Sequence, residues 1–305
     1  MEQLERYRGS LMGLAVCDAL GAQIEGGKSR EEPPYEMVGG GWHDVIPGGW
    51  TDDTAMTLCL AESLVETQEF DLNDQLKRYV QWRQHGHLSW SKFALGMGDT
   101  TRDAIDDYKR NGETIRKNQD PGTCSGNGSI MRLAPVALAY CGLDTLALYA
   151  GQSSQTTHNT PETIDTCIFL AKIIEGCLQG SDKQKILHDI PEKIQILRGG
   201  VEGLRRGDWE NKNIHDLKTT SYVITTLETA LWVFAKAPDF ERGAKSILSF
   251  GGDADTIGAV YGQIAGAYYG LEQIPARWRQ PIAMKEIILN FADRLYTFNQ
   301  STSLS

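Results

Sequence analysis

Apolar positions along this chain recur at helical spacing and almost never alternate. Leu4, Tyr7, Leu11, Leu14 and Ala15 share one face of a 3.6-residue period with Cys17 and Asp18, and the pattern stops near Gly21. After Thr51, the residues Met56, Cys59, Leu60, Ser63 and Leu64 trace a second face, and a third helix is predicted from Leu72 through "DQLKRYVQWRQH". The stretches "SIMRLAPVALAY", "PETIDTCIFLAKIIEGCLQG", "KQKILHDIPEKIQILRGGVEGLRRG", "TTSYVITTLETALWVFAKA", "FERGAKSILSF" and "DTIGAVYGQIAGAYYG" read as further helices. The last closes on Gly270, placed as a C′ glycine, with Pro275 just beyond. Residues 26–49, rich in Gly and Pro, and the polar residues 110–129 are predicted loops. Strict alternation and Asn-Gly hairpins between apolar strands are missing. The predicted class is all-α, a compact orthogonal multi-helix bundle. Helical patterning resumes on both sides of the weakly apolar stretch 205–221, so one domain is expected over 1–305.

Composition narrows the function classes. A hydrophobic fraction of 41% with 9% aromatics in 305 residues supplies a sizeable core and argues against disorder. The formal net charge of −10 argues against broad binding to nucleic acid or anionic lipid, both of which need a basic surface. Six cysteines form no CxxC pair, and Cys17, Cys59, Cys167 and Cys177 sit in apolar helical patterns, as reduced core residues do. At the N-terminus charges and apolar residues interleave, unlike a signal peptide, and no apolar run approaches the length of about 18 residues that spans a membrane. These features together set the expectation of a cytoplasmic protein.

Two short stretches carry the chemistry. "GGWTDDTAM" sets Asp52 beside Asp53, and "GGDADTIGAV" sets Asp253 two residues from Asp255, each behind a Gly-Gly and next to a threonine at a helix start. Capping explains one such stretch, with Thr51 as N-cap and the acids facing the positive end of the helix dipole. Four carboxylates at two helix starts are costly unless a cation lies between them. A hard divalent ion takes such oxygen ligands, and Mg²⁺ or Mn²⁺ suits the set better than zinc, because neither stretch holds His or Cys.

Other candidates are weaker. Asp18 lies among Gly13, Ala15, Ala19 and Gly21, a small-residue helix suited to close packing, and reads as a buried structural carboxylate. Glu25 follows in the Gly loop, as a solvated residue or one within reach of metal and water. The turn Ser125-Gly126-Asn127-Gly128 has the form of a phosphate cradle and equally of a plain turn. His158, ahead of Pro161, is a ligand contact or a helix-entry residue, and Asp99 beside Thr100 has N-capping as its plain alternative.

These stretches occur in one order, from "LMGLAVCDALGAQIEG" through "GWTDDTAM", "GNGSIMR", "TTHNTP" and "SYVITTLETALWVF" to "GGDADTIGAVYGQIAGAYYG". In that order, over nearly the whole chain, the sequence resembles the ADP-ribosylglycohydrolase family, and within it the branch that activates dinitrogenase reductase by releasing ADP-ribose from arginine. The resemblance implies two divalent cations, Mg²⁺ or Mn²⁺, held by Thr51, Asp52 and Asp53 on one side and Asp253, Asp255 and Thr256 on the other. It implies that Glu25 is a site residue near the metals and Asp99 an acid/base candidate. Ser125, Gly126, Asn127 and Gly128 would handle the diphosphate. His158 matches a motif histidine, and Tyr222 matches the tyrosine near the distal ribose and acceptor. An ADP-ribosylated protein is the implied substrate and ADP-ribose the product, with the enzyme a monomer.

The chain departs from the family at Ser221, where Gly is frequent, and at Ala254, where Thr is frequent. The first narrows the pocket next to Tyr222; the second lies between ligands. Two other functions stay open at this point. One keeps the site but takes serine-linked, other O-linked or poly-ADP-ribose; the other is an ADP-ribose-binding protein without catalysis.

Overall fold

The first helix is the innermost. In α1 (Gln3–Ala22), every residue from Gly9 to Ala22 is buried, because small residues line one face and larger apolar ones the other. Its principal partner is α13 (Ala254–Tyr269), buried without a break from Ala254 to Ala267. The two run antiparallel with their backbones in contact. A Cβ on Gly9 would lie 2.2 Å from the Gly266 oxygen, one on Gly13 2.5 Å from the Gly262 oxygen, and one on Gly21 2.3 Å from Asp255 Cα. Positions 9, 13, 17 and 21 of α1 thus meet 266, 262, 258 and 255 of α13, a four-residue period on α1 matched by steps of four, four and three on α13.

The computed structural model describes residues 1–29, 32–117, 119–194 and 199–302. Around the central pair stand α2 (Asp52–Thr67), α3 (Leu72–His85), α4 (Asp99–Asn111), α5 (Pro121–Cys124), α6 (Ala134–Ala139), α7 (Leu146–Gln155) and α8 (Pro161–Leu178). Then follow α9 (Ile190–Lys193), α10 (Gly199–Arg205), α11 (Val223–Lys236), α12 (Phe240–Phe250), α14 (Ala276–Arg279) and α15 (Lys285–Thr302). Helix α15 packs on α1, α2 and α6, while α11 and α12 flank α13. The architecture is the expected all-α one: among the described residues there is no strand, only isolated bridges at Gly40–Val45 and Gly126–Tyr222. Also among them, no helix is long and apolar enough to cross a membrane. All six cysteines are free thiols, five of them buried.

Several boundaries differ from the sequence pattern. "SIMRLAPVALAY" is helical only from Ala134, because the turn before it folds Arg132 back onto the Gly128 carbonyl. Helix α11 starts at Val223, since the Thr219 and Ser221 carbonyls accept from Asp253 N and Asn127 N instead of continuing a helix. The long stretch after Lys183 divides into a π-turn (Lys185–Asp189), α9 and α10; its residues 195–198 lie outside the described ones. The loop predicted over 110–129 holds the last residues of α4 and the single turn α5. Helices α7 and α15 go beyond the helices read from the pattern.

Candidate active site

Construction of the site begins at Asp18. Thr51 occupies the N-cap position of α2, but its side chain makes no cap bond there. Asp18 reaches across from α1 and accepts from Thr51 N at 3.0 Å, Thr54 N at 2.9 Å and the Thr54 hydroxyl at 2.6 Å. The Thr51 hydroxyl lies 2.9 Å from the same carboxylate. One fully buried acid thereby caps a neighbouring helix and fixes where Asp52 and Asp53 begin. Burial pushes its carboxyl up to about 6, against the threonine hydrogen bonds that pull it down.

The same helix α1 sets the second acid pair, because Gly21 abuts the backbone of Ala254 and Asp255. Asp52, Asp253, Asp255, Thr256 and Glu25 line a cavity of about 540 Å³; Asp53 and Thr51 lie buried behind it. The Gly-Gly pairs before the acids serve chain packing. Gly251 and Gly252 both take positive φ, and a Cβ on them would meet Gly27 O at 2.6 Å and Thr219 Oγ1 at 2.4 Å.

Asp53 Oδ1 and Asp255 Oδ1 are buried without a hydrogen-bond donor among the described residues. Burial above all, and then neighbouring carboxylates, holds Asp52, Asp53 and Asp255 well above the usual carboxylate range. Burial also raises Glu25, helped by Asp253 and opposed by His43, whose Nε2 stands 3.2 Å from Glu25 Oε2. Like charges at this density call for a cation or shared protons. Among the described residues, no three acidic, His or Cys side chains already stand in ligand geometry about one point. Asp253 Oδ2 is drawn to Asn127 Nδ2 at 2.7 Å, and Asp53 Oδ2 lies 3.1 Å from the Thr51 hydroxyl.

Gly126, Asn127, Gly128 and His158 line the same cavity, and Asn127 ties this loop to the second acid pair. Gly128 is glycine for a steric reason: a Cβ there would lie 2.8 Å from His158 Cε1. His158 is buried and neutral, pushed down to about 3 by burial first, with Arg132 and Arg116 adding.

Not every predicted residue reaches the cavity. Ser125 is turned away, its hydroxyl 2.9 Å from that of Thr160, which caps α8. Tyr222 is more than a third exposed and lies outside the cavity lining; it joins through the backbone, where Val223 N donates to Ser125 O. Asp99 sits on the cavity edge as the first residue of α4, with 83% of its side chain exposed and Arg102 Nη1 2.6 Å away, and it makes no cap bond. Ser221 lines the cavity as its position suggests, whereas Ala254 is buried against Gly21, so its small side chain suits helix packing.

The sequence reading passed over Gly96, Thr101, Met131 and Thr219, which also line the cavity. Gly96 carried a readable signal in "GMGD". Its φ is +82°, and a Cβ there would clash with Asp52 Oδ1 at 2.4 Å.

Fold and cavity define an all-helical protein whose ligand site is floored by buried acids. The chain belongs to the ADP-ribosylglycohydrolase family, whose profile matches residues 1–304. It is 34% identical over 299 residues to ADP-ribosylarginine hydrolase Tri1 of Serratia proteamaculans, covering 97% of this chain and 80% of that protein. It is 29% identical to the ADP-ribosyl-[dinitrogen reductase] glycohydrolase of Rhodospirillum rubrum, covering 92% and 91% of the two chains. Among solved structures, an ADP-ribosylglycohydrolase-related protein complex superposes with a TM-score of 0.87 at 38% identity, covering 98% of this chain and 99% of that one.

Proposed function

We propose that this protein is a metal-dependent hydrolase that releases ADP-ribose from ADP-ribosylated arginine on a protein. The observation that carries the reading is the joining of Asp52, Asp253, Asp255, Glu25 and the Gly126–Gly128 loop in one cavity, with Asp53 buried behind it. Its size, about 540 Å³, suits a nucleotide-sized ligand. The names of the relatives at 34% and 29% identity support the substrate class, and that of the former the arginine linkage.

Thr51, Asp52, Asp53, Asp253, Asp255 and Thr256 are the residues that would hold two divalent cations, Mg²⁺ or Mn²⁺. The orphaned Asp53 Oδ1 and Asp255 Oδ1 and the all-oxygen donor set fit such ions. When bound, the ions supply Lewis acidity toward water and the ribose hydroxyls.

The chain's own groups account for the rest. Cleavage of the bond from ribose C1 to the guanidine nitrogen passes through an oxocarbenium-like state, and a field of carboxylates favours positive charge there. Glu25, raised by burial and steadied by His43, is the proton acceptor for the attacking water. Asp99, exposed and paired with Arg102, stands at the edge and is the weaker candidate for that role. The Gly126–Gly128 loop takes the diphosphate on its backbone.

The test is release of free ADP-ribose from an arginine-ADP-ribosylated protein with Mg²⁺ or Mn²⁺, with EDTA, and beside a serine-linked substrate. Metal-dependent release from arginine is expected. Release from serine alone would overturn the acceptor, release undiminished by EDTA the metals, and full turnover by Asp52→Ala the site.

A further inference from the structure

Arg132 is fully buried, and its hydrogen-bond partners among the described residues include no carboxylate. Its guanidinium donates to the Tyr79 hydroxyl at 3.2 Å, the Gly128 carbonyl, the Thr156 hydroxyl at 3.2 Å and the Thr157 hydroxyl at 2.6 Å. A buried guanidinium held only by neutral acceptors is expensive. Two of those acceptors lead directly to the cavity. Gly128 is a cavity-lining residue, and Thr157 Oγ1 lies 2.8 Å from His158 Nδ1.

The direction of that second chain follows from donor and acceptor counts. Arg132 can only donate, so Thr157 Oγ1 accepts from it. The threonine's single hydroxyl hydrogen then has one acceptor among the described residues, His158 Nδ1. The opposite arrangement, Nδ1–H donating to Thr157, would leave that hydrogen buried with nothing to receive it. Nδ1 is therefore the acceptor, and in the neutral ring the proton sits on Nε2. Nε2 lies against the glycine loop, 3.2 Å from where a Cβ of Gly128 would be and 3.5 Å from that of Gly126.

We infer that Arg132 and Thr157 are positioning residues that fix His158 as an Nε2–H donor beside the Gly126–Gly128 loop, where it binds a diphosphate oxygen of an ADP-ribose-type ligand. The inference rests on the proposed substrate class and adds to it how the anion is held. A neutral donor and a cation one hydrogen bond away recognise a diphosphate without placing a mobile positive charge beside the metal-binding acids. The low protonation range of His158 agrees, since the ring stays neutral wherever the enzyme works. Arg132 also polarises the Gly128–Ser129 peptide by donating to its carbonyl, which fixes the end of the loop.

The experiment is calorimetric binding of ADP-ribose, with adenosine as the phosphate-free probe, to wild type, Thr157→Val and Thr157→Ser. It is read together with ¹⁵N shifts of the His158 ring and a thermal melt of each protein. Wild type should show a protonated Nε2 and a bare Nδ1. Thr157→Val should lose roughly five- to tenfold in ADP-ribose affinity, the share of one buried neutral hydrogen bond, with adenosine affinity unchanged. Thr157→Ser should restore the wild-type value. Equal ADP-ribose affinity in Thr157→Val, equal losses for ADP-ribose and adenosine, or a wild-type ring protonated on Nδ1 would each overturn the inference. If Thr157→Val does not fold, the wild-type ring shifts and the serine variant decide. Wild type that binds ADP-ribose in this way yet releases none from arginine would sink the proposed reaction and leave the binding arrangement standing.

Discussion

Replacing Asp18 by alanine would strip the start of α2 of its acceptor, leaving Thr51 N, Thr54 N and the Thr54 hydroxyl buried without one. The cost expected is about 2–4 kcal/mol, more than an ordinary cap loss, because several donors are orphaned together. Urea unfolding should show the midpoint fall by that free energy divided by the m-value, and hydrolysis should fail even where the protein remains folded; an unchanged midpoint would mean that something else anchors α2. Reading Asp18 as structural was possible from its small-residue surroundings. That it caps a different helix was not, since a cap in trans leaves no mark at sequence spacing. His158 shows the same divide. Its place before a helix suggested a ligand contact or a helix-entry residue, but its proton position depends on Thr157 and Arg132, and the chain separates Arg132 from it by a whole helix pair.

Between elements, the decisive contact is the glycine seam of α1 and α13. A Cβ on Gly262 would lie 2.2 Å from the Gly13 oxygen, with backbone on both sides and no flexible side chain to give way. Gly262→Ala should therefore push the helices apart, costing about 1–3 kcal/mol or more as overpacking does. Because Asp255 lies two turns along the same helix, it should move away from Asp52. A thermal melt and an assay of ADP-ribose release check both effects, and wild-type values in both would show that the seam is looser than it looks. The two acid motifs were legible because their composition repeats. Their meeting was only half legible: both helices advertise small residues, but which glycine faces which is a tertiary fact that neither helix states alone.

Taken whole, the molecule concentrates repulsion at one place, and pH reads it out. Asp53 has a folded-state pKa well above its ordinary value, with burial the first cause. For such a group the folded form holds its proton longer than the unfolded form, so stability is greatest below the unfolded pKa of about 4 and is lost as pH rises toward the folded one. Asp53→Asn removes that loss. In EDTA the variant should melt at or above wild type at pH 7, and its advantage should shrink toward pH 4. Added Mg²⁺ should raise the wild-type melting temperature at pH 7, by the equivalent of about 2.7 kcal/mol at a hundred times Kd, and leave the variant nearly unmoved. An advantage that is the same at both pH values would show that charge is not what Asp53 costs the fold. The seam also sets a schedule. Roughly 230 residues separate the end of α1 from the start of α13, and at about 5–20 residues per second a ribosome needs about 10–50 s to supply them. For that interval the glycine face of α1 waits without its partner, and Asp52 and Asp53 lack the opposite half of their site. The acid-lined cavity is thus among the last things the growing chain can complete, and a polypeptide released before Ala254 carries only its Asp52–Asp53 half.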